Sequence, residues 1–188
     1  MAFVRTTLFG GVVMNRLTGY ACHWLQVCPQ PVFHIHFRQY ERFKPGCFKR
    51  FLARCQNIRA LVGHDPTRRL GSTHDGSLAL EEDDTGLRFS LDLGNDEECE
   101  RVVQAYEAGD VTGVSLGLYR TLYEDTTLPG GFWCKEIIST EIEEVSVVLA
   151  PDNPVHTVTR KQLRLEEESF THSAADRRLR LALATMKG

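Results

Sequence analysis

Apolar and polar residues alternate most strictly at positions 87–93, where Leu87, Phe89, Leu91 and Leu93 are separated by Arg88, Ser90 and Asp92. Successive side chains on an extended backbone point to opposite faces, so this stretch predicts a strand with one face on a core and the other in water. The apolar run at 58–62 predicts another strand. It ends at Gly63-His64-Asp65-Pro66, where the proline is expected to stop regular structure and bias Asp65 toward an extended conformation. Residues 70–80 read as a strand broken by the turn signal Asp75-Gly76, and Asp83-Asp84-Thr85-Gly86 as a second turn. Residues 19–25 predict a first strand. Residues 28–39, with Pro29 and Pro31, predict a loop or an irregular strand.

Helical spacing occurs twice. Pro45-Gly46 opens a short predicted helix over 47–54 with Phe48, Phe51 and Leu52 as its stripe. A second helix buries Cys99, Val102, Val103 and Tyr106, with Asn95 as its cap, Glu98 three residues on, and Gly109 as its stop. Residues 132–149 are rich in β-formers. Their apolar parity is even at Ile138 and Ile142 but odd at Val145, Val147 and Leu149, which predicts a bulge near Glu143-Glu144. The organisation expected from these elements is an N-terminal arm over 1–18, a domain over 19–154 and a charged C-terminal tail over 155–188. In the tail, Ser173 is expected to cap a short helix bearing Leu179, Leu183 and Met186. Many short strands with few helices predict a β-rich α+β domain or a β-barrel.

Composition narrows this little. The 188 residues carry a formal net charge of -3, with 42% hydrophobic and 25% charged residues, ordinary for a globular domain. The pI of about 6.2 gives no reason to expect a nucleic-acid partner. No run approaches the ~18 apolar residues of a membrane span, and residues 1–17 do not form a convincing export signal. Six scattered cysteines without paired spacing read as reduced thiols.

The chemistry centres on Gly113-Val114-Ser115-Leu116-Gly117. As a strand, it turns Val114, Leu116 and Leu118 to the core and leaves Ser115 on the other face between two glycines, with room for a substrate backbone and a base. The pattern matches a nucleophile elbow, but an elbow needs a strand before the serine and a helix after it, and here the order is reversed. A serine nucleophile needs an imidazole and a group to orient it. His64, at the end of a predicted strand, is the best placed of the seven histidines. Asp65, His74 and Glu144 are candidates for the third position, and Arg120 is a distant candidate for oxyanion stabilisation. The alternatives are a surface histidine in a turn and a solvated carboxylate at a strand end. A rival chemistry is metal binding by Cys22, His23, Cys28, His34 and His36, whose spacing fits no common zinc pattern.

Taken in order, these segments resemble the prohead serine proteases of tailed phages, over about residues 19–154. Gly19-Tyr20-Ala21 is similar to the family's opening strand, and Glu41-Arg42-Phe43-Lys44-Pro45-Gly46-Cys47-Phe48 to its Glu-x-Phe-x-Pro-Gly-Ala-Phe segment. Ala60-Leu61-Val62-Gly63-His64-Asp65-Pro66 resembles the catalytic-histidine segment. Leu70-Gly71-Ser72, Leu78-x-Leu80 and Gly86-Leu87-Arg88-Phe89 follow in register. Gly109-Asp110-Val111-Thr112-Gly113-Val114-Ser115-Leu116-Gly117-Leu118 resembles the catalytic-serine segment, and Glu144-Val145-Ser146-Val147-Val148, closed by Ala150-Pro151, the last strand. Two departures stand out. Residues 22–40 are longer and richer in cysteine and histidine than the family pattern, and Leu116 and Leu118 replace its phenylalanines.

The resemblance implies a fold like the herpesvirus assemblin proteases, a β-barrel surrounded by helices. It implies a serine endopeptidase with Ser115 as nucleophile, His64 as general base and Glu144 as third member, His74 remaining open because the herpesvirus relatives use a second histidine. The implied substrates are scaffold and major capsid protein, with self-cleavage, inside the immature prohead in the host cytoplasm. No cofactor, metal, nucleic acid or membrane is implied, and a homo-oligomer stays open. The competing expectation is a non-catalytic capsid-assembly or scaffold-associated protein that retains the fold.

Overall fold

The computed structural model describes residues 12–28, 32–34, 37–54, 56–150, 158–159 and 163–170. Its two longest strands, β8 (Val111–Thr127) and β9 (Trp133–Leu149), form one antiparallel hairpin. The opposite edge of β9 takes two parallel partners in succession. β3 (Phe37–Phe43) pairs along Cys134 to Ile137, and β4 (Arg59–Val62) along Glu144 to Val147. β2 (Val32–His34) extends this sheet from β3, β5 (Asp65–Ser72) from β4, and β10 (Val158–Thr159) from β8. The second sheet is four-stranded, in the order β11 (Leu163–Phe170), β1 (Val12–His23), β7 (Gly86–Leu93), β6 (Leu78–Glu82).

Among the described residues, one apolar cluster draws on both sheets and both helices. Leu17, Phe89 and Leu91 enter it from the four-stranded sheet. Phe43, Val114, Ile137, Val145 and Val147 enter from the other, with Phe51 and Val102 from α1 (Lys49–Leu52) and α2 (Glu97–Ala108). The alternation at 87–93 therefore reads as expected, with Leu87, Phe89, Leu91 and Leu93 all buried. Helix α2 starts one residue later than predicted. Asp96, not Asn95, is its cap and accepts from the Cys99 N–H at 3.0 Å. Gly109 ends it at φ 90°, a left-handed conformation that glycine adopts without a Cβ penalty. Helix α1 is a single turn, shorter than the predicted 47–54, and the Phe48 N–H before it donates to Glu82 Oε1 at 2.8 Å.

Two expectations need correction. The described strands do not close into a barrel. Closure requires a hydrogen-bonded path that returns to its first strand, and here the paths run out at β11 and β6 in one sheet and at β10 and β2 in the other. What stands is a β-rich α+β fold. The sheets also reach beyond 19–154. β1 begins at Val12, and β11 pairs with its first half in the register Arg16 to Glu166. Arg16 and Glu166 face each other there with opposite charges, so a segment that reads in isolation as a charged tail is a strand paired with β1. Leu17 and Leu163 are buried, and the Tyr106 hydroxyl donates to the Leu163 carbonyl at 3.1 Å. The helix expected after Ser173 lies outside the described residues.

Candidate active site

His64 occupies a two-residue hairpin loop. Val62 pairs with Asp65, so Gly63 and His64 make up the whole connection between β4 and β5, with φ values of 59° and 63°. Two positive φ values are what the tight, right-twisting hairpin loop requires. Glycine adopts this conformation freely, whereas for a histidine it costs about 1–2 kcal/mol. Two bonds to β9 hold the loop: the Gly63 N–H donates to the Val147 carbonyl at 2.9 Å and the His64 N–H to Ser146 Oγ at 3.1 Å. Pro66 does not end regular structure here. Asp65 is extended, as expected, and begins β5 itself.

The loop brings the imidazole onto Glu144. His64 Nδ1 lies 2.5 Å from Glu144 Oε1, and the other carboxylate oxygen accepts from the Ser146 hydroxyl. Glu144 is buried and the His64 side chain is about a third exposed, at 35%. The bond to Glu144 raises the imidazole pKa above its ordinary value, while burial acts the other way. With Nδ1 on the carboxylate, Nε2 is the nitrogen left for proton transfer.

Glu144 and Ser146 reach this face because of the predicted bulge. The register of β8 against β9 passes from Gly117–Glu144 directly to Leu118–Ile142, leaving Glu143 as the extra residue. Since a one-residue shift exchanges faces, Val145 and Val147 enter the core beyond it and Glu144 and Ser146 turn away. Directly opposed residues of an antiparallel pair share a face. Ser115 opposes Ser146 and Gly117 opposes Glu144, so the serine stands on the same face as the imidazole–carboxylate pair. Ser115 is 6% exposed, and Val114 and Leu116 point into the core as alternation requires. Among the described residues no hydrogen bond joins Ser115 to His64.

Gly117 serves a purpose different from the expected clearance for a peptide. A Cβ there would lie 2.3 Å from Glu144 Oε1 and 2.8 Å from its Cδ and Cγ. The missing side chain is the space that the carboxylate fills. Of the three residues weighed as partner to His64, Glu144 is the one bonded to it. Asp65 accepts from the N–H and hydroxyl of Thr67 at 2.8 and 2.6 Å, and His74 is exposed in the turn before β6. The Arg120 guanidinium contacts Glu141 at 3.4 Å and lies over the Tyr119 ring. Ser146 was not singled out from the sequence, although the alternation that buries Val145 and Val147 puts it beside Glu144.

Among the described residues no three candidate ligands form a metal cluster, and His36 lies outside them. Cys22 is buried, and burial raises its thiol pKa well above the ordinary value and pushes that of Cys28 up to about 12. The five described cysteines are free. No helix among the described residues is long and apolar enough to cross a membrane.

A hydroxyl and a carboxylate-bound imidazole on one face of a β-rich scaffold are the side-chain types that serine hydrolases use. The chain belongs to the caudovirus prohead serine protease family, whose model matches residues 8–170. That match takes in β1 and runs through β11. It points to a capsid-maturation role, capsid-related substrates and a location inside the prohead. No curated protein matches the chain.

Proposed function

We propose that the chain is a serine endopeptidase that trims scaffold and capsid-protein segments, and itself, during prohead maturation. Ser115 Oγ attacks the carbonyl carbon of the scissile peptide bond and passes its proton to His64 Nε2. Glu144 accepts from Nδ1–H, holds the ring in the tautomer with Nε2 free, and stabilises the imidazolium that forms. His64 then gives the proton to the departing amine, and water, activated by the same imidazole, releases the acyl group from Ser115. The chemistry needs no cofactor. The observation that carries this reading is the 2.5 Å contact of His64 Nδ1 with Glu144 on the face where Ser115 stands.

The test is co-expression with the cognate scaffold and capsid proteins, wild type against Ser115→Ala. Wild type is expected to shorten them and Ser115→Ala to leave them whole. Cleavage that survives Ser115→Ala would refute the assignment of Ser115, and substrates left whole by wild type would favour a non-catalytic assembly protein.

A further inference from the structure

Ser146 has 0% exposure, and its hydroxyl joins two parts of the site. It has one proton and lone pairs to offer. The proton goes to Glu144 Oε2, and a lone pair takes the His64 N–H at 3.1 Å. The carboxylate is thereby held by one oxygen so that the other meets Nδ1, and the main chain of the left-handed histidine is held by the same atom. Ser146 is also the residue directly across from Ser115.

We propose that Ser146 is a positioning residue for peptide cleavage, acting through Glu144 and His64. This rests on the serine-protease reading above. Ser146 exchanges no proton with substrate. Its hydroxyl fixes the separation and tilt of the imidazole and the carboxylate before substrate arrives. A misplacement of roughly 1 Å in such a pair costs about 10²-fold in rate. Ser146→Ala is therefore expected to lower kcat by about 10–100-fold while KM stays within about twofold.

The experiment measures kcat and KM on a peptide spanning a scaffold cleavage site, for wild type, Ser146→Ala, Ser146→Cys, Glu144→Ala and the Ser146→Ala/Glu144→Ala pair. In the Glu144→Ala background, Ser146→Ala is expected to cost less than about threefold, because the carboxylate it orients is gone. The thiol of Ser146→Cys fills the space but donates and accepts weakly, so that variant should lose at least about tenfold, and it carries the test if Ser146→Ala fails to fold. A loss that resides in KM, one that is additive with Glu144→Ala, or wild-type activity in Ser146→Cys would overturn the proposal and leave Ser146 a packing residue. Ser115→Ala in the same assay separates the two claims. If Ser115→Ala still cleaves, the protease reading fails. If cleavage depends on Ser115 while Ser146→Ala keeps its kcat, only the role of Ser146 fails.

Discussion

Gly117→Ala tests the site with a single methyl group. The new Cβ would stand 2.3 Å from Glu144 Oε1, against a comfortable separation of about 3.5 Å, so the carboxylate must retreat by roughly 1 Å. The contact with His64 Nδ1 is 2.5 Å, and a retreat of that size carries it to or beyond the limit of a hydrogen bond. The atoms in the way belong to a long side chain, not to the backbone, so they yield cheaply. Overpacking and the weakened carboxylate contacts set the loss of stability at about 1–2 kcal/mol, part of it offset because alanine suits a strand better than glycine. Activity has no such relief, and kcat is expected to fall by at least about 10²-fold.

The assay pairs scaffold-peptide cleavage with urea unfolding of the same preparations. Glu144→Asp, one methylene shorter, should recover part of the rate when combined with Gly117→Ala, although alone it should lower it. A folded Gly117→Ala protein that cleaves within about threefold of wild type would show that the position of Glu144 does not govern the reaction.

Three further outcomes are expected. Because Glu144 raises the His64 pKa and the base must be unprotonated, kcat/KM should rise with pH through a value above ~6.5, and Glu144→Gln should move that limb down; a wild-type limb at or below ~6.5 would count against the pair. The same shift makes the pair stabilising in full below the unfolded imidazole value, with the contribution lost as pH rises through the raised folded one. Gly86→Ala puts a Cβ 2.0 Å from the Cys22 carbonyl oxygen, which is backbone and cannot yield, so β1 and β7 must separate; a loss of about 3 kcal/mol in urea unfolding is expected, and an unchanged midpoint would refute it. Asp75 is exposed; the little desolvation it suffers raises its carboxyl pKa, but bonds from Ser77 and Ser72 outweigh this and hold it well below the usual range. Solvent screens so exposed a carboxylate, so Asp75→Ala should cost only about 1 kcal/mol, and in wild type that contribution should be present above the unfolded value of ~3.9 and disappear as pH falls through the lowered folded one; stability unchanged at pH 7 in Asp75→Ala would exclude it.

What the sequence reveals of this protein is its periodicity. The strand at 87–93 and the face-switch at Glu143 both follow from counting apolar positions in twos, and both stand in the structure. The ends of the sheets do not follow, because in β1 and β11 the ordering comes from a neighbour. Arg16 lies opposite Asp92 on one side and Glu166 on the other, and no local pattern announces either. The hairpin loop at Gly63-His64 was hidden for a different reason. Its first position holds the glycine and its second a histidine, the reverse of the usual Asn-Gly order, and Pro66 suggested a break where the next strand begins. In the proposed site, the order of segments suggests Ser115 and His64, whereas the use of Gly117 requires knowing what lies across the hairpin.

The arrangement of the site follows from three main-chain devices, none of them a local motif. One extra residue at Glu143 lets a single strand send Val145 and Val147 to the core and Glu144 and Ser146 to the opposite face. A left-handed loop at the end of β4, parallel to β9, turns the imidazole over the strand that carries its carboxylate. A missing Cβ on β8 admits that carboxylate beside the strand that carries Ser115. Because β9 lies between β4 and β8, it fixes the separation of His64 from Ser115, and the residues it turns toward them, Glu144 and Ser146, are fully or nearly fully enclosed. This explains how Gly117→Ala and Gly86→Ala, the same chemical change in one chain, are expected to fail in opposite ways. At Gly86 the new atom meets backbone and the sheet gives; at Gly117 it meets a carboxylate and the chemistry gives while the fold stands.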